Sequence, residues 1–75
     1  MIKIYSIDSC PYCLKAKNYL KSKNIPFKEI NVSKNMGAKK EMISKSKQSG
    51  VPVLDINGTI IIGFDKPAID RFLTR

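Results

Sequence analysis

Two cysteines separated by two residues are the densest chemical feature of this 75-residue chain, in the segment Cys10-Pro11-Tyr12-Cys13. Thiols at this spacing can form a disulfide, bind a metal ion, or exchange electrons with another disulfide. The chain contains no histidine, which is the usual base at neutral pH. Catalysis by a Ser-His-Asp triad or a Cys-His pair is therefore excluded within this sequence.

The spacing leaves three uses of the cysteine pair open. A structural disulfide across so short a loop would stabilise the fold by only about 2 kcal/mol, and such bridges are rare in cytosolic proteins. A structural zinc ion or an iron–sulfur cluster needs more ligands than two thiols without histidine provide. Thiol–disulfide exchange needs only the pair itself. We therefore expect redox chemistry and no bound metal.

The pair lies at the start of a predicted helix, which favours the redox interpretation. Pro11 is typical of the first helical turn, because its missing N–H would have no partner there. Free N–H groups and the positive end of the helix dipole favour a thiolate on Cys10, the attacking species in exchange. Cys13 follows one turn later, where it can attack a mixed disulfide on Cys10. We expect its sulfur to be more buried and less acidic.

Apolar periodicity predicts the elements that position this pair. Strands are predicted over residues 2–7, 27–32, 52–56 and 59–62, and helices over residues 11–23 and 35–47. A last helix is predicted after Asp65, and its apolar residues are Pro67, Ala68, Ile69, Phe72 and Leu73. Asn57-Gly58 predicts a type I′ hairpin, because both of its residues tolerate a positive φ. The order β-α-β-α-β-β-α predicts an α/β fold in which a four-stranded mixed sheet carries three helices.

Several residues are expected to cap helices or to fill the core. Ser33 is a plausible cap for the second helix, and Asp65 can cap the third. Met36 and Met42 are interpreted as core residues rather than ligands. The apolar positions of the second helix are Met36, Ala38, Met42 and Ile43.

Length and composition limit the remaining possibilities. The length and an apolar fraction of 43% predict one globular domain over residues 1–75. The chain has no long apolar run, so we expect no membrane span and no secretory signal. We therefore expect a cytoplasmic protein. The net charge is +8, from 12 lysines and two arginines. We interpret it as a solvated surface, because nucleic-acid sites usually combine arginine with interleaved aromatic residues.

Three short motifs together resemble the glutaredoxin family along nearly the whole chain. They are the Cys-Pro-Tyr-Cys segment, Val51-Pro52 before the hairpin, and Gly63-Phe64-Asp65 before the last helix. Each motif alone is weakly specific, whereas their order and spacing are specific. The resemblance implies a thioredoxin-like fold with the sheet order β2-β1-β3-β4. It also implies a dithiol oxidoreductase in which Cys10 is the nucleophile and Cys13 the resolving thiol.

The resemblance further implies a glutathione site around the cysteines. Val51-Pro52 would contain a cis peptide bond facing the thiols, and the Val51 backbone would pair with the bound thiol as a short β-contact. The start of the last helix would hold the charged γ-glutamyl end, with N–H groups on the carboxylate and Asp65 on the ammonium. The residues implied to bind glutathione are Tyr12, Val51, Pro52, Gly63, Phe64 and Asp65.

The chain departs from the common glutaredoxin pattern at three positions. Many members carry lysine or arginine three residues before the first cysteine, for the glycyl carboxylate of glutathione, where this chain has Ile7. Gly50 replaces a common threonine, and Phe64 replaces a common glycine or cysteine. The Gly-Phe pair also occurs in small redoxins that supply electrons to ribonucleotide reductase and are recharged by thioredoxin reductase. Lys45 or Lys47 could supply the cation that Ile7 lacks.

Three functions remain open at this point. The first is a dithiol oxidoreductase that reduces protein disulfides or glutathione mixed disulfides and uses glutathione as its reductant. The second is an electron-donor redoxin with the same chemistry, recharged by thioredoxin reductase. The third is a carrier of a metal ion or an iron–sulfur cluster. We expect a monomer whose partners are one of these reductants and disulfide-containing proteins, with no membrane or nucleic-acid partner.

Overall fold

A mixed sheet of four strands carries three helices in this computed structural model, which describes residues 2–73. The elements are β1 (Ile2–Ser6), α1 (Pro11–Ser22), β2 (Lys28–Asn31), α2 (Met36–Ser46), β3 (Val53–Ile56), β4 (Thr59–Ile62) and α3 (Lys66–Leu73). The strand order is β2-β1-β3-β4, with β1 parallel to β2 and antiparallel to β3, which in turn pairs antiparallel with β4. The predicted element order and sheet order are both confirmed.

The sheet separates two apolar clusters, because successive side chains of a strand point to opposite faces. The cluster on one face includes residues of α1 and α3: Ile2, Ile4, Ala16, Leu20, Leu54, Ile56, Ile61 and Ile69. The cluster on the other face includes a residue of α2: Tyr5, Val32, Met42 and Val53. Two helices thus cover one face of the sheet and α2 covers the other. Within residues 2–73, no helix has the length and apolar character that crossing a bilayer requires.

Local signals set the ends of α1 and the hairpin. Pro11 is the first residue of α1, as predicted, and the helix ends at Ser22. Asn24 then adopts φ 57°, a left-handed conformation that asparagine tolerates. In the hairpin, Asn57 and Gly58 have φ values of 51° and 99°. Two successive positive φ values are the signature of the predicted type I′ turn.

The N-cap of α2 differs from its prediction. Asn35 is the cap, since its Oδ1 accepts a hydrogen bond from the Ala38 N–H at 3.0 Å. Ser33 instead donates its N–H and its hydroxyl to Asn31 Oδ1, at 2.9 and 2.5 Å. The prediction of Ser33 as the cap is wrong, because a cap directly precedes the helix and α2 begins only at Met36.

The buried face of α2 is also narrower than its apolar positions suggest. Met36 is 65% exposed, so its predicted core role is wrong. The buried stripe instead runs through Ala38, Met42 and Ser46, at intervals of four residues, and Met36 lies in the first turn outside it. Ser46 can be buried because its hydroxyl donates to the Met42 carbonyl at 2.8 Å.

A polar cluster ties α2 to the sheet. Lys45 Nζ lies 2.9 Å from Asp55 Oδ2 and 3.2 Å from Glu41 Oε1. The buried Tyr5 hydroxyl donates to Glu41 at 2.5 Å and accepts from Lys45 at 3.2 Å. Burial opposes ionisation of Asp55, but hydrogen bonds from Lys45 and the Gly58 N–H outweigh it and hold the pKa of Asp55 below its usual range.

We expect Asp55→Asn to lower the free energy of unfolding at pH 7 by about 1–3 kcal/mol, because Lys45 would lose the more buried of its two carboxylate partners. Since the folded protein lowers the pKa of Asp55, its stabilisation is present above the unfolded pKa of about 3.9 and is lost as the pH falls through the folded value. The difference between wild type and variant should therefore shrink below pH ~4.

Urea unfolding at neutral and acidic pH measures this difference. Asp8→Asn is the matched control, since Asp8 is exposed and lies 3.9 Å from the exposed Lys34. It should change the free energy of unfolding by less than about 0.5 kcal/mol. Equal losses in the two variants would contradict the role assigned to Asp55.

Candidate redox site

The two cysteines are free thiols with different environments at the start of α1. Cys10 is partly exposed, has extended backbone angles and acts as the N-cap, since its Sγ accepts the Cys13 N–H at 3.2 Å. Cys13 is only 1% exposed. Its thiol also forms a hydrogen bond with the Cys10 sulfur. The two sulfurs are therefore neighbours, and Cys13 is the more buried, as expected.

The environment of Cys13 keeps its thiol protonated. Burial raises the pKa of Cys13 to about 11, and the hydrogen bond to Cys10 adds to the increase. A hydrogen bond from the Ile7 backbone and the positive charge of Lys17 act in the opposite direction. The Cys10 sulfur lies at the N-terminus of α1, where it accepts the Cys13 N–H.

An open groove of about 430 Å³ lies beside Cys10. Its lining residues are Ile7, Asp8, Ser9, Cys10, Pro11, Leu14 and Lys17. Leu14 is 55% exposed and Tyr12 is 60% exposed, so apolar surface flanks the thiol. Lys15 holds its ammonium 5.0 Å from the centroid of the Tyr12 ring, a distance suited to cation–π attraction.

A second groove, of about 250 Å³, adjoins the first at Ile7. Its lining residues are Ile7, Val32, Ser33, Lys39, Ser49, Gly50 and Val51. Lys39 contributes a positive charge to this groove. Sequence reasoning missed Lys39, because in the sequence it is one exposed helical lysine among 12 lysines.

The loop before β3 reaches the same end of the sheet. Val53 pairs with Tyr5, so the preceding Val51–Pro52 bond lies near the end of β1 that leads into the cysteine segment. This peptide bond is cis, as the resemblance implies. The Pro52 carbonyl accepts a hydrogen bond from the Gly63 N–H at 2.8 Å. Gly63 has φ 77°, a conformation that favours glycine.

Contacts with α1 hold the Gly63-Phe64-Asp65 motif and the helix α3 that follows it. Asp65 caps α3, as predicted, since its Oδ1 accepts the Ala68 N–H at 3.2 Å. The Tyr19 ring packs edge-on against Phe64, with ring centroids 5.8 Å apart, and its hydroxyl hydrogen-bonds Asp70. The hydrogen bond to Asp70 raises the pKa of Tyr19 to about 12. Tyr19 thus remains a hydroxyl donor over the physiological range.

The two lysines considered as substitutes for Ile7 have other places in the fold. Lys45 binds Asp55 and Glu41 in the polar cluster on α2, so its ammonium already has two carboxylate partners. Lys47 is the exposed C-cap of α2, with φ 63°. Among residues 2–73, the cationic side chains that line the two grooves are Lys17 and Lys39. In the same part of the chain, no group of three or more acidic, cysteine or histidine side chains is placed to hold a metal ion.

Solved structures show which class of protein this arrangement belongs to. A thioredoxin-like protein superposes with a TM-score of 0.90 at 25% identity, over 96% of this chain and 99% of that protein. The NrdH-redoxin of Escherichia coli, a glutaredoxin-like protein with a thioredoxin-like activity profile, superposes with a TM-score of 0.82 at 26% identity, over 93% and 91%. The fold is therefore that of the thioredoxin-like proteins.

Sequence relatives define the family within that class. The glutaredoxin family model matches residues 2–61. A glutaredoxin-like 8.6 kDa protein in the rubredoxin operon of Clostridium pasteurianum is 56% identical over 75 residues, which cover both chains completely. Glutaredoxin 3 of Escherichia coli is 38% identical over 64 residues, 85% of this chain and 77% of that protein. The chain belongs to the glutaredoxin family of redox proteins.

Alkylation should distinguish the two thiols. We expect iodoacetamide at pH 7 to modify Cys10 at least about tenfold faster than Cys13, because Cys13 is buried and stays protonated. Timed quenching followed by tandem mass spectrometry measures the two rates separately. In a Cys10→Ser variant the buried Cys13 should remain slow. Similar rates at the two positions would contradict the assigned asymmetry.

Proposed function

We propose that this protein is a dithiol oxidoreductase that reduces protein disulfides and glutathione mixed disulfides. The observation that supports it most directly is the asymmetry of the cysteine pair. The Cys10 sulfur is partly exposed at the N-terminus of α1, whereas Cys13 is buried beneath it and protonated. Membership of the glutaredoxin family supports the same chemistry.

In the first step, the Cys10 thiolate attacks one sulfur of the substrate disulfide. A bond forms between Cys10 and that sulfur while the substrate S–S bond breaks. The other substrate sulfur leaves as a thiolate and takes up a proton from water. The product is a mixed disulfide on Cys10.

In the second step, Cys13 loses its proton and its thiolate attacks the Cys10 sulfur. The Cys10–Cys13 disulfide forms, and the remaining substrate sulfur leaves as a thiolate. Two electrons have then passed from the protein to the substrate. When the substrate is a glutathione mixed disulfide, external glutathione can instead attack the glutathione held on Cys10. That route releases oxidised glutathione and uses Cys10 alone.

Glutathione would lie over Cys10 and the Val51 loop, between the groove that Lys39 lines and the start of α3. Its cysteinyl backbone pairs with the backbone of Val51, and its γ-glutamyl carboxylate accepts the N–H groups of Phe64 and Asp65. A helix N-terminus suits a carboxylate, and the Asp65 side chain suits the neighbouring ammonium. The exposed Tyr12 flanks the ligand beside Cys10. The hydrogen bond between the loops of Pro52 and Gly63 holds these contacts in one place.

Lys39 would bind the glycyl carboxylate of glutathione. Its side chain lines the groove that Val51 and Ile7 also line, so a tripeptide paired with Val51 ends beside a cation. This placement compensates for the apolar Ile7 at the position where many family members carry lysine or arginine. It also requires nothing of Lys45, whose ammonium binds Asp55.

An electron-donor redoxin recharged by thioredoxin reductase is the second candidate. The Gly63-Phe64 pair favours it, as does the structural similarity to the NrdH-redoxin over 93% of the chain. The thiol chemistry is the same in both candidates. They differ in the reductant that returns electrons to the Cys10–Cys13 disulfide.

A coupled assay tests both candidates with one set of variants. NADPH oxidation is followed with glutathione and glutathione reductase, or with thioredoxin reductase, and the substrate is a glutathionylated peptide or a protein disulfide. We expect wild-type turnover with glutathione. Cys10→Ser should lose all turnover, whereas Cys13→Ser should retain deglutathionylation and lose reduction of protein disulfides, because only Cys10 is needed for the glutathione route.

The outcomes separate the candidates clearly. Turnover with thioredoxin reductase alone would favour the electron-donor redoxin. Full activity of Cys10→Ser would overturn both candidates. Full reduction of protein disulfides by Cys13→Ser would remove the resolving role of Cys13.

We expect Lys39→Gln to raise KM for a glutathionylated peptide by about threefold to tenfold with little change in kcat, because a charge-assisted hydrogen bond to the ligand is lost. Lys40→Gln is the matched control, since it removes the same charge from the neighbouring exposed position. Steady-state kinetics of the two variants measures the difference. An equal effect of both substitutions would assign it to net charge rather than to a contact of Lys39.

A further inference from the structure

The resolving step requires Cys13 to become a thiolate, but the surroundings of Cys13 favour the protonated thiol. The residue is 1% exposed, and burial raises its pKa to about 11. The hydrogen bond to Cys10 adds to the increase in the reduced protein. Once Cys10 is bonded to a substrate, its sulfur carries no charge, but Cys13 remains buried. A source of positive potential near Cys13 would therefore accelerate resolution.

Lys17 is such a source by its position on α1. It follows Cys13 by four residues, and side chains at this spacing are neighbours on one face of a helix. Lys17 lines the same groove as Cys10, and its side chain is only 20% exposed. Its positive charge lowers the pKa of Cys13.

The sheet holds the Lys17 ammonium in place. Lys17 Nζ lies 2.7 Å from Glu29 Oε2 on β2. The same carboxylate oxygen accepts the hydroxyl of Ser6, the fully buried last residue of β1, at 3.1 Å. Hydrogen bonds from Lys17 and Ser6 lower the pKa of Glu29 against the effect of burial, so the carboxylate is charged at neutral pH. Two strands thus restrain a side chain that is otherwise flexible.

We propose that Lys17 is a positioning residue for resolution, whose restrained ammonium stabilises the Cys13 thiolate as it attacks the mixed disulfide. The proposal rests on the dithiol function above. The Cys13 proton passes to water, the bond between Cys13 and Cys10 sulfurs forms, and the bond from Cys10 to the substrate sulfur breaks. The substrate leaves as a thiolate. Lys17 keeps its proton throughout, and the Ile7 backbone hydrogen bond supports the same thiolate.

Charged groups from three parts of the fold act in this region. They are Lys17 and Lys21 of α1, Asp8 of the loop after β1, and Glu29 of β2, beside the titratable thiol of Cys10. The carboxylate of Glu29 offsets part of the Lys17 charge, and Asp8 in the groove acts in the same sense. The expected effect of removing Lys17 is therefore moderate.

Single-turnover kinetics tests the proposal. Reduced protein is mixed with excess glutathione disulfide, quenched with acid at set times, and analysed by mass spectrometry for the mixed disulfide and the Cys10–Cys13 disulfide. We expect Lys17→Gln to slow formation of the Cys10–Cys13 disulfide about threefold to tenfold at pH 7. The pH midpoint of that rate should also move upward. Lys17→Arg should restore both values. Lys40→Gln, which removes the same charge from α2, should match wild type.

The outcomes separate this proposal from the proposed function. A wild-type protein that forms no mixed disulfide would refute the dithiol function itself. Lys17→Gln could form the mixed disulfide normally and then resolve it with an unchanged rate and pH midpoint. That result would overturn only the role of Lys17. A slower rate with an unmoved midpoint that Lys17→Arg does not restore would show a merely structural effect, and would also overturn it. Thermal unfolding of each variant confirms that the fold is retained.

Discussion

The hydrogen bond from the Cys13 N–H to the Cys10 sulfur links the fold of this protein to its chemistry. The sulfur serves as the N-cap of α1, so the group that satisfies the helix end is also the proposed nucleophile. Packing of α1 through Ala16 and Leu20 buries the next turn, and with it the Cys13 thiol. One helix end therefore gives two chemically identical residues different exposure, and burial raises the pKa of the inner one, Cys13.

The sheet brings the rest of the site to this helix end. β1 pairs antiparallel with β3, and β3 pairs antiparallel with β4. The loop after β1, the loop before β3 and the loop after β4 therefore lie at the same end of the sheet. The hydrogen bond between Pro52 and Gly63 joins two of these loops directly. The contact of Tyr19 with Phe64 ties the start of α3 to α1. Segments that are far apart in the sequence are thus brought to the same end of the sheet.

The lysines of this basic chain differ in their surroundings, and their number alone does not show these differences. Lys45 links α2 to the sheet through Asp55, and its charge serves stability. Lys39 lies in a groove beside Val51, where it faces any ligand bound there. Lys17 is restrained by Glu29 near the buried thiol. A net charge of +8 is thus partly a solvated surface and partly a set of individually positioned cations, which composition cannot separate.

The sequence by itself determined the order of the elements and the candidate redox pair, because these depend on neighbours a few residues apart. The position of Pro11 marks the start of α1, Asn57-Gly58 forms the predicted turn, and the spacing of Cys10 and Cys13 allows only a small set of chemistries. The tertiary structure alone decided the cap of α2, the exposure of Met36 and the surroundings of Lys17, Lys39 and Lys45. Lys45 meets Tyr5 across 40 positions in the chain, and such contacts follow from how the helices pack on the sheet. Residues of one type, alike in any local pattern, acquire different functions only through the partners that packing gives them.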